Sequence, residues 1–396
     1  GFLWPEFFFC YLKIKYILEY MKIPKTLLTV NSFILFTFIA PITYMLWRFV
    51  NFSRSISSFF QSWNVFGLMF NTISVFFAVV FTSVLVGLLI SIVTVRFEFK
   101  GSKILFTLCV LPLVIPSYIG ALTYISAFSP KGLFVQIFNR YGIEEIAGIE
   151  GFLGSWLVLT LFTYPYVQLI CSSALRNLDS TVEDAARSLG VNQFKVYTSV
   201  VIPRLKKPII YSSLLVGLYV ISDFGAVSLM RYSTVTKAIY AYYELSILSD
   251  PVIFYSSLLI VLALLISFIQ RGSATSRSAK VSGTPRIPKK VRLERNGKVL
   301  VYSFLGGIIF LGLIIPVAVL GFWLFRGLYY GTDLTSSIPG ILGSFSASIV
   351  TSILAIVISM PIVILISQYK SRFGDILEKI MLSLYGLPHL AVGVSI

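Results

Sequence analysis

The sequence predicts an all-α protein, a polytopic bundle of transmembrane helices. Hydrophobic residues make up 57% of its 396 positions, whereas only 12% are charged. A soluble domain carries about 25% charged residues, so a water-soluble enzyme of this length could not cover its surface. Long apolar runs recur along the chain, and a backbone inside a bilayer must satisfy its hydrogen bonds within helices. The composition therefore excludes soluble globular proteins and disordered chains.

Nine stretches are long and apolar enough to cross a bilayer. A span needs about 20 residues, because each helical residue advances by about 1.5 Å. Three prolines inside these stretches, Pro112, Pro116 and Pro361, predict kinks that neighbouring helices can accommodate. The predicted spans cover 27–50, 65–95, 104–127, 152–175, 208–230, 251–270, 300–325, 341–369 and 380 to the last residue.

The basic residues predict the orientation of the spans. With the N-terminus in the cytoplasm, 25 of the 32 Lys and Arg residues fall in cytoplasmic segments and 7 on the opposite side. Cytoplasmic loops of membrane proteins carry this excess of positive charge. The net charge of +16 is therefore attributed to topology, and no nucleic-acid partner is expected.

Two segments outside the spans differ from their surroundings. Residues 1–26 form the expected cytoplasmic N-terminus, of which 1–20 are expected not to be native, because Met21 followed by Lys22 has the form of an ordinary start. Residues 271–298 are small, polar and basic, which predicts a flexible, solvated cytoplasmic linker with weak attraction to anionic membrane lipid.

The two sides of this linker share a pattern. The offset from Pro116 to Pro388 is 272 residues, and it carries Arg96 onto Gln368. This repeat predicts two fused membrane domains, 27–270 and 299–396. The second is expected to be incomplete, because its counterpart of Gly190 would fall beyond Ile396, and a native product of roughly 530–550 residues follows if the repeats match.

Residues 179–204 have more specific features than the other cytoplasmic segments. Ser180 with Glu183, or Thr181 with Asp184, forms a capping box and predicts the start of a short helix. The acidic groups also favour a helix N-terminus through the helix dipole.

This segment continues with a smooth helix face and a turn. Ala185 and Ala186 would let the surface of another protein come close, and Gly190 permits a turn with positive φ that ends the helix. A second short helix is expected over 192–201, ending before Pro203.

Residues 179–204 resemble the EAA loop of type I ABC-importer permeases, the binding-protein-dependent transport permease family. Asp184 takes the acidic place, Gly190 lies four residues beyond the second alanine, and Pro203 lies thirteen residues beyond Gly190. The resemblance implies that this loop couples the chain to a partner ATPase. The residues expected in that contact are Glu183, Asp184, Ala185, Ala186, Leu189, Gly190, Ile202 and Pro203.

The resemblance also implies the remaining parts of the system. They are an ATP-binding cassette subunit that carries ATP and Mg, an extracytoplasmic substrate-binding protein, and a place in the bacterial inner (plasma) membrane. This chain has no G-x-x-x-x-G-K-[ST] motif with which to hold ATP phosphates, and no cofactor of its own is expected. We therefore expect this chain to be a membrane permease subunit rather than an enzyme.

A second run narrows the resemblance. Ser222-Asp223-Phe224-Gly225-Ala226 is similar to a run in the ferric-iron permeases with two fused halves, which implies iron transport. A permease of the same family for thiamine or another small solute is the alternative within the class. An ion-coupled secondary transporter is the alternative outside it, and it would need paired intramembrane charges.

Few other residues are candidates for chemistry. Asp223, Pro116 and Pro388 are candidates for the translocation pathway, because an intramembrane acid and helix breaks are frequent there. Local capping by Asp223 is an equal alternative. With His389 as the one histidine and three cysteines without paired spacing, neither a metal site nor a membrane enzyme is expected.

Overall fold

The computed structural model describes residues 23–51, 64–129, 132–139, 142, 148–178, 181–245, 250–274, 290–333, 335–369 and 371–384. Over these ranges the chain is almost wholly helical, and the predicted all-α polytopic architecture is confirmed. Pro388 and most of the last predicted span lie outside the described residues.

The elements of the first half reach just into the predicted linker. They begin with α1 (Lys25–Val50), α2 (Val65–Arg96), β1 (Phe97–Glu98), α3 (Ser102–Val110), a 3₁₀ turn (Leu111–Val114), α4 (Ser117–Phe128), α5 (Leu133–Asn139) and α6 (Gly151–Arg176). They continue with α7 (Thr181–Ser188), α8 (Gln193–Val196), a π-helical turn (Tyr197–Val201), α9 (Ile202–Arg204), α10 (Lys206–Ser222), α11 (Gly225–Leu229), α12 (Val235–Leu245) and α13 (Asp250–Ala274).

The second half follows the same mostly helical plan. Its elements are β2 (Val291–Arg292), α14 (Arg295–Ile309), a π-helical turn (Phe310–Ile314), α15 (Ile315–Tyr329), a 3₁₀ turn (Thr335–Ser337), α16 (Ile338–Gln368) and α17 (Arg372–Leu384). Because α13 reaches Ala274 and α14 starts at Arg295, both ends of the predicted linker 271–298 have regular structure. Residues 275–289 lie outside the described ranges.

Five helical stretches in the described residues are long and apolar enough to cross a membrane, and seven if each of two bent pairs counts as one span. Two predicted spans are interrupted. The span predicted at 104–127 breaks at Ile115-Pro116, and the span predicted at 208–230 breaks at Asp223-Phe224. Helix α16, by contrast, is uninterrupted at Pro361.

Helices α2 and α6 approach closely along their length. A Cβ atom added at Gly87 would lie 2.7 Å from the Tyr164 carbonyl oxygen, so the glycine permits this contact. The hydroxyl groups of Ser83 and Thr163 are 3.0 Å apart, and Ser91 Oγ donates a hydrogen bond to the carbonyl of Gln168 at 3.0 Å. Small residues and interhelical hydrogen bonds are what hold helices together in lipid, where apolar surface gives little drive to associate.

The described chain divides into two compact units, and each contains parts of both halves. One unit holds α2 to α13 together with α14 and α15 as far as residue 327. Within it, Tyr124 Oη donates a hydrogen bond of 2.8 Å to the Leu311 carbonyl, and Ile315 and Val319 are buried in the core of the first half. The first span of the second half therefore packs on the body of the first half.

The other unit contains α1, α16 and α17. Asn31 Nδ2 donates to the carbonyls of Leu27, at 2.8 Å, and of Pro361, at 3.2 Å. Leu365 and Leu377 are buried there against side chains of α1. The first span of the first half therefore packs on the second half, which makes the exchange reciprocal.

A short parallel strand pair joins the end of α2 to the last part of the predicted linker. Phe97 pairs with Val291 and Glu98 with Arg292, directly after the last residue of α2. Tyr302 Oη also donates a hydrogen bond of 2.8 Å to the Lys100 carbonyl. The backbone at the end of the predicted linker is therefore fixed beside the end of α2.

Candidate functional site

Residues 181–204 form a helical hairpin, called here the coupling hairpin. Its first helix, α7, ends in a turn where Gly190 has φ of +76°, as the sequence predicted. Val191 N donates to the Ala186 carbonyl at 3.2 Å, which is the bond of a Schellman helix end with glycine in the left-handed position.

The second arm of the hairpin differs from the prediction. The helix expected at 192–201 does not end before Pro203 but remains helical through Arg204. Pro203 occupies the first turn of α9, where a missing backbone N–H removes no necessary hydrogen bond. The chain turns only at Leu205, where the path bends by 62° into α10.

A buried ion pair anchors the first arm. Arg96, the last residue of α2, places Nη2 2.7 Å from Glu183 Oε1, with side-chain exposures of 2% and 1%. The sequence placed Glu183 among the contacts to a partner, but its carboxylate lies inside the packing of this chain. A buried charge is tolerated when it is paired, so the pair fixes α7 to the end of a membrane helix.

Apolar packing anchors the second arm. Leu175, Val201 and Leu205 form a buried cluster, against which Leu88 and Ile92 of α2 pack. The first arm of the hairpin is therefore attached to α2, and the second arm to both α2 and α6.

The turn of the hairpin is exposed. Leu189 is 83% exposed, and Gly190 and Pro203 are also exposed. Ala186 and Ile202 are half-buried, and the side chains of Asp184 and Ala185 lie outside the described residues. The hairpin thus presents an apolar tip on a base that is held firmly by the membrane helices.

A second site forms where the two interrupted spans meet. Ser117, the first residue of α4, donates its hydroxyl hydrogen to Asp223 Oδ2, between α10 and α11. Asp223 Oδ1 accepts a hydrogen bond of 2.9 Å from Ala226 N, and the Asp223 carbonyl accepts one of 2.9 Å from Thr236 Oγ1. Asp223 is 9% exposed, so this polar cluster is buried.

Close backbone contact accompanies these hydrogen bonds. A Cβ atom added at Gly225 would lie 2.6 Å from Tyr118 Cβ, which explains why glycine follows the break in the second span. Pro116 is extended at the start of α4 and accepts a hydrogen bond of 3.0 Å from Gly120 N through its carbonyl. The structure thus brings Pro116 and Asp223 to one junction, where Asp223 caps α11 locally, whereas Pro388 lies outside the described residues.

The described residues contain no group of three or more His, Cys, Asp or Glu side chains that could hold a metal ion. Cys109 and Cys171 are buried free thiols.

The sequence did not identify Arg96 as a partner of the hairpin. In the sequence, Arg96 was used only to align the two halves, because the residues around it do not indicate a contact with a glutamate 87 positions later. An arginine in the last turn of a long apolar helix was the available signal.

Comparison with known proteins matches just under half of the chain to one family. Residues 83–276, which include the hairpin and the junction at Asp223, match the family described as binding-protein-dependent transport system inner membrane component.

Three individual relatives are between 26% and 28% identical to this chain. Fe(3+)-transport system permease protein FbpB 2 of Haemophilus influenzae is 26% identical over 353 residues, 88% of this chain and 66% of that protein. Sulfate transport system permease protein CysT of Escherichia coli is 28% identical over 155 residues, 39% of this chain and 54% of that protein. Sulfate permease 2, chloroplastic, of Chlamydomonas reinhardtii is 28% identical over 159 residues, 40% of this chain and 42% of its own length. The chain thus spans between 42% and 66% of these relatives.

Proposed function

Because residues 83–276 match the binding-protein-dependent transport system inner membrane component family, we propose that the chain is the membrane subunit of an ATP-driven importer. It forms the translocation path, and a separate ATP-binding cassette subunit docks on the coupling hairpin. A substrate-binding protein on the opposite side delivers the solute.

The observation that carries this proposal is the exposed tip on an anchored base. Leu189 is 83% exposed at the turn, whereas the Arg96–Glu183 pair beneath it is buried. A partner that moves the tip would move α2 and α6 with it, because the ion pair attaches the first arm to α2 and the apolar cluster attaches the second arm to α2 and α6. A loosely attached loop would instead absorb the movement.

We propose ferric iron as the solute. The Haemophilus relative named for Fe(3+) transport aligns with 88% of this chain, whereas the sulfate permeases align with about 40%. The run Ser222 to Ala226 supports the same substrate, and the structure supports a role for it in joining the two interrupted spans.

Uptake of radiolabelled ferric iron and of radiolabelled sulfate in cells with and without the intact gene tests the proposal. Loss of iron uptake alone on deletion is expected. Loss of sulfate uptake alone would transfer the proposal to the second solute, and unchanged uptake of both would contradict it. Copurification of an ATPase subunit with the tagged chain tests the docking independently of the solute.

A further inference from the structure

A cavity of about 420 Å³ lies at the ends of α2, α3 and α6. The distribution of basic residues assigns this end of the bundle to the cytoplasmic face. Cations and hydroxyl groups dominate the polar part of its lining: Thr94, Ser102, Lys103, Thr107, Arg176 and Lys290.

Three segments far apart in sequence each contribute one cation to the cavity. Lys103 lies in the first turn of α3, Arg176 is the last residue of α6, and Lys290 directly precedes β2. The pairing of β1 with β2 fixes the backbone next to Lys290, so its place at the cavity is set by the fold. The guanidinium carbon of Arg176 lies 5.1 Å from the centre of the Phe106 ring, which orients that cation.

The charge of these cations is not compensated within the described part of the chain. None of the three cations forms an ion pair there. The carboxylate of Glu98 pairs instead with Arg292, with 3.5 Å between Glu98 Oε2 and Arg292 Nε. Residues 271–290 contain no Asp or Glu at all, and Asp179 lies outside the described ranges. An anion from outside the chain would therefore meet an uncompensated positive site.

Two further features favour a phosphate group with an apolar body. Helix α3 begins at the cavity, and its N-cap residue Gly101 offers no side chain to its first N–H groups, so the helix end adds positive potential. Val95 and Phe106 form an apolar wall. A volume of about 420 Å³ lies within the range of small-molecule sites and exceeds the needs of one phosphate ion.

We propose that this cavity binds the phosphate group of an anionic phospholipid of the cytoplasmic leaflet, such as phosphatidylglycerol. The cations and hydroxyls hold the phosphate, and Val95 and Phe106 contact the glycerol and the first acyl carbons. Basic pockets at the cytoplasmic ends of transmembrane helices are suited to such headgroups. The single negative charge of the bound lipid would reduce the repulsion among the three cations, independently of the solute that is transported.

Native mass spectrometry of the full chain in detergent, with added phosphatidylglycerol or phosphatidylcholine, tests this site. The variant Lys103→Gln/Arg176→Gln removes two of its cations, and Lys195→Gln/Lys206→Gln removes two exposed cations elsewhere on the same face. We expect the first variant to retain phosphatidylglycerol at least about tenfold more weakly than the unaltered chain, because charge-assisted hydrogen bonds are lost. The control should retain it as the unaltered chain does, and phosphatidylcholine should bind weakly to all three.

Equal losses in both variants would show only general attraction to basic surface and would overturn the proposal. Inorganic phosphate, added alone, separates the two sources of the anion. If phosphate at millimolar concentration binds the cavity and phosphatidylglycerol does not, the lipid assignment is wrong. Lys290→Gln lies outside the helices and serves as the second variant if the double substitution impairs folding; unchanged lipid retention in it would also count against the site.

Discussion

Arg96 Nη2 and Glu183 Oε1 lie 2.7 Å apart in a buried ion pair that joins the end of helix α2 to the first helix of the coupling hairpin. Their positions in the sequence are separated by 87 residues, and helices α3 to α6 lie between them. This contact makes the hairpin an extension of α2 in mechanical terms, so its strength determines how well movement at the tip reaches the bilayer.

Removing one partner of this pair should destabilise the protein strongly. Arg96→Gln or Glu183→Gln leaves one buried charge without its counterion, which costs about 3–5 kcal/mol. Glu150→Gln is the matched control, because the Arg231–Glu150 pair is 3.2 Å long but its side chains are 75% and 44% exposed. Exposed pairs contribute about 0–1 kcal/mol. Thermal unfolding in detergent measures both, and similar losses of stability would contradict the anchoring role.

Leu189→Asp should prevent the ATPase subunit from docking while the chain still folds. The side chain is 83% exposed, so the change removes apolar contact area from the tip and disturbs no internal packing. Leu245→Asp is the control, since Leu245 is 81% exposed on a different helix. Copurification of the ATPase and solute uptake should be lost in the first variant and retained in the second. A Leu189→Asp chain that still binds the ATPase would remove the tip from the interface.

Changes at Ala186 and Gly190 should abolish transport with normal membrane insertion. Ala186→Glu adds a bulky charge to the docking helix, and Gly190→Pro imposes a φ of about −65° where the chain has +76°. No other atom lies within 4 Å of an added Cβ at Gly190, so Gly190→Asn tests conformation alone. Asparagine tolerates the left-handed region, and this variant should retain uptake. Normal uptake in well-expressed Ala186→Glu cells would exclude the hairpin as the coupling element.

Two substitutions separate the capping role of Asp223 from a role in the pathway. Asp223→Asn keeps a side-chain oxygen for Ala226 N, so the unfolding temperature should stay close to that of the unaltered chain. Asp223→Ala removes the cap and should cost about 0.5–2 kcal/mol. Preserved uptake in the asparagine variant would assign Asp223 to structure alone, and lost uptake at unchanged stability would assign its charge to the pathway.

The close contact of α2 with α6 should depend on Gly87. Gly87→Ala places a Cβ atom 2.7 Å from the Tyr164 carbonyl oxygen and should destabilise by about 1–3 kcal/mol. Gly306→Ala is the control, because it is also helical but has no neighbour within 4 Å. It should stabilise by about 0.5–1 kcal/mol through backbone entropy. A Gly87→Ala chain that unfolds at the same temperature as the Gly306→Ala chain would contradict close helix packing there.

The sequence was most informative where a local rule decides the structure. The sequence predicted that Gly190 would adopt a positive φ and end α7, and the structure shows this turn. Pro116 indicated a disturbance in its span, and the structure shows an interruption there. At Pro203 the local rule was wrong, because the preceding π-helical turn lets the proline occupy the first turn of a new helix.

Contacts between distant segments could not be predicted in this way. The residues around Arg96 and Glu183 do not indicate that these two side chains form an ion pair. Ser117 and Asp223 meet only because the breaks in two spans lie next to each other. The cavity at Lys103 depends on three segments that are far apart in sequence, and their basic residues, taken singly, indicate no more than orientation.

The reciprocal exchange of first spans has a consequence for how this architecture can be divided. Helix α14–α15 contributes Ile315 and Val319 to the core of the first half, and α1 packs on α16. A fragment that contains only one of the two predicted domains would therefore lack a helix that packs on it in the intact chain. Either predicted membrane domain, expressed alone, would then expose core surface that the intact chain covers.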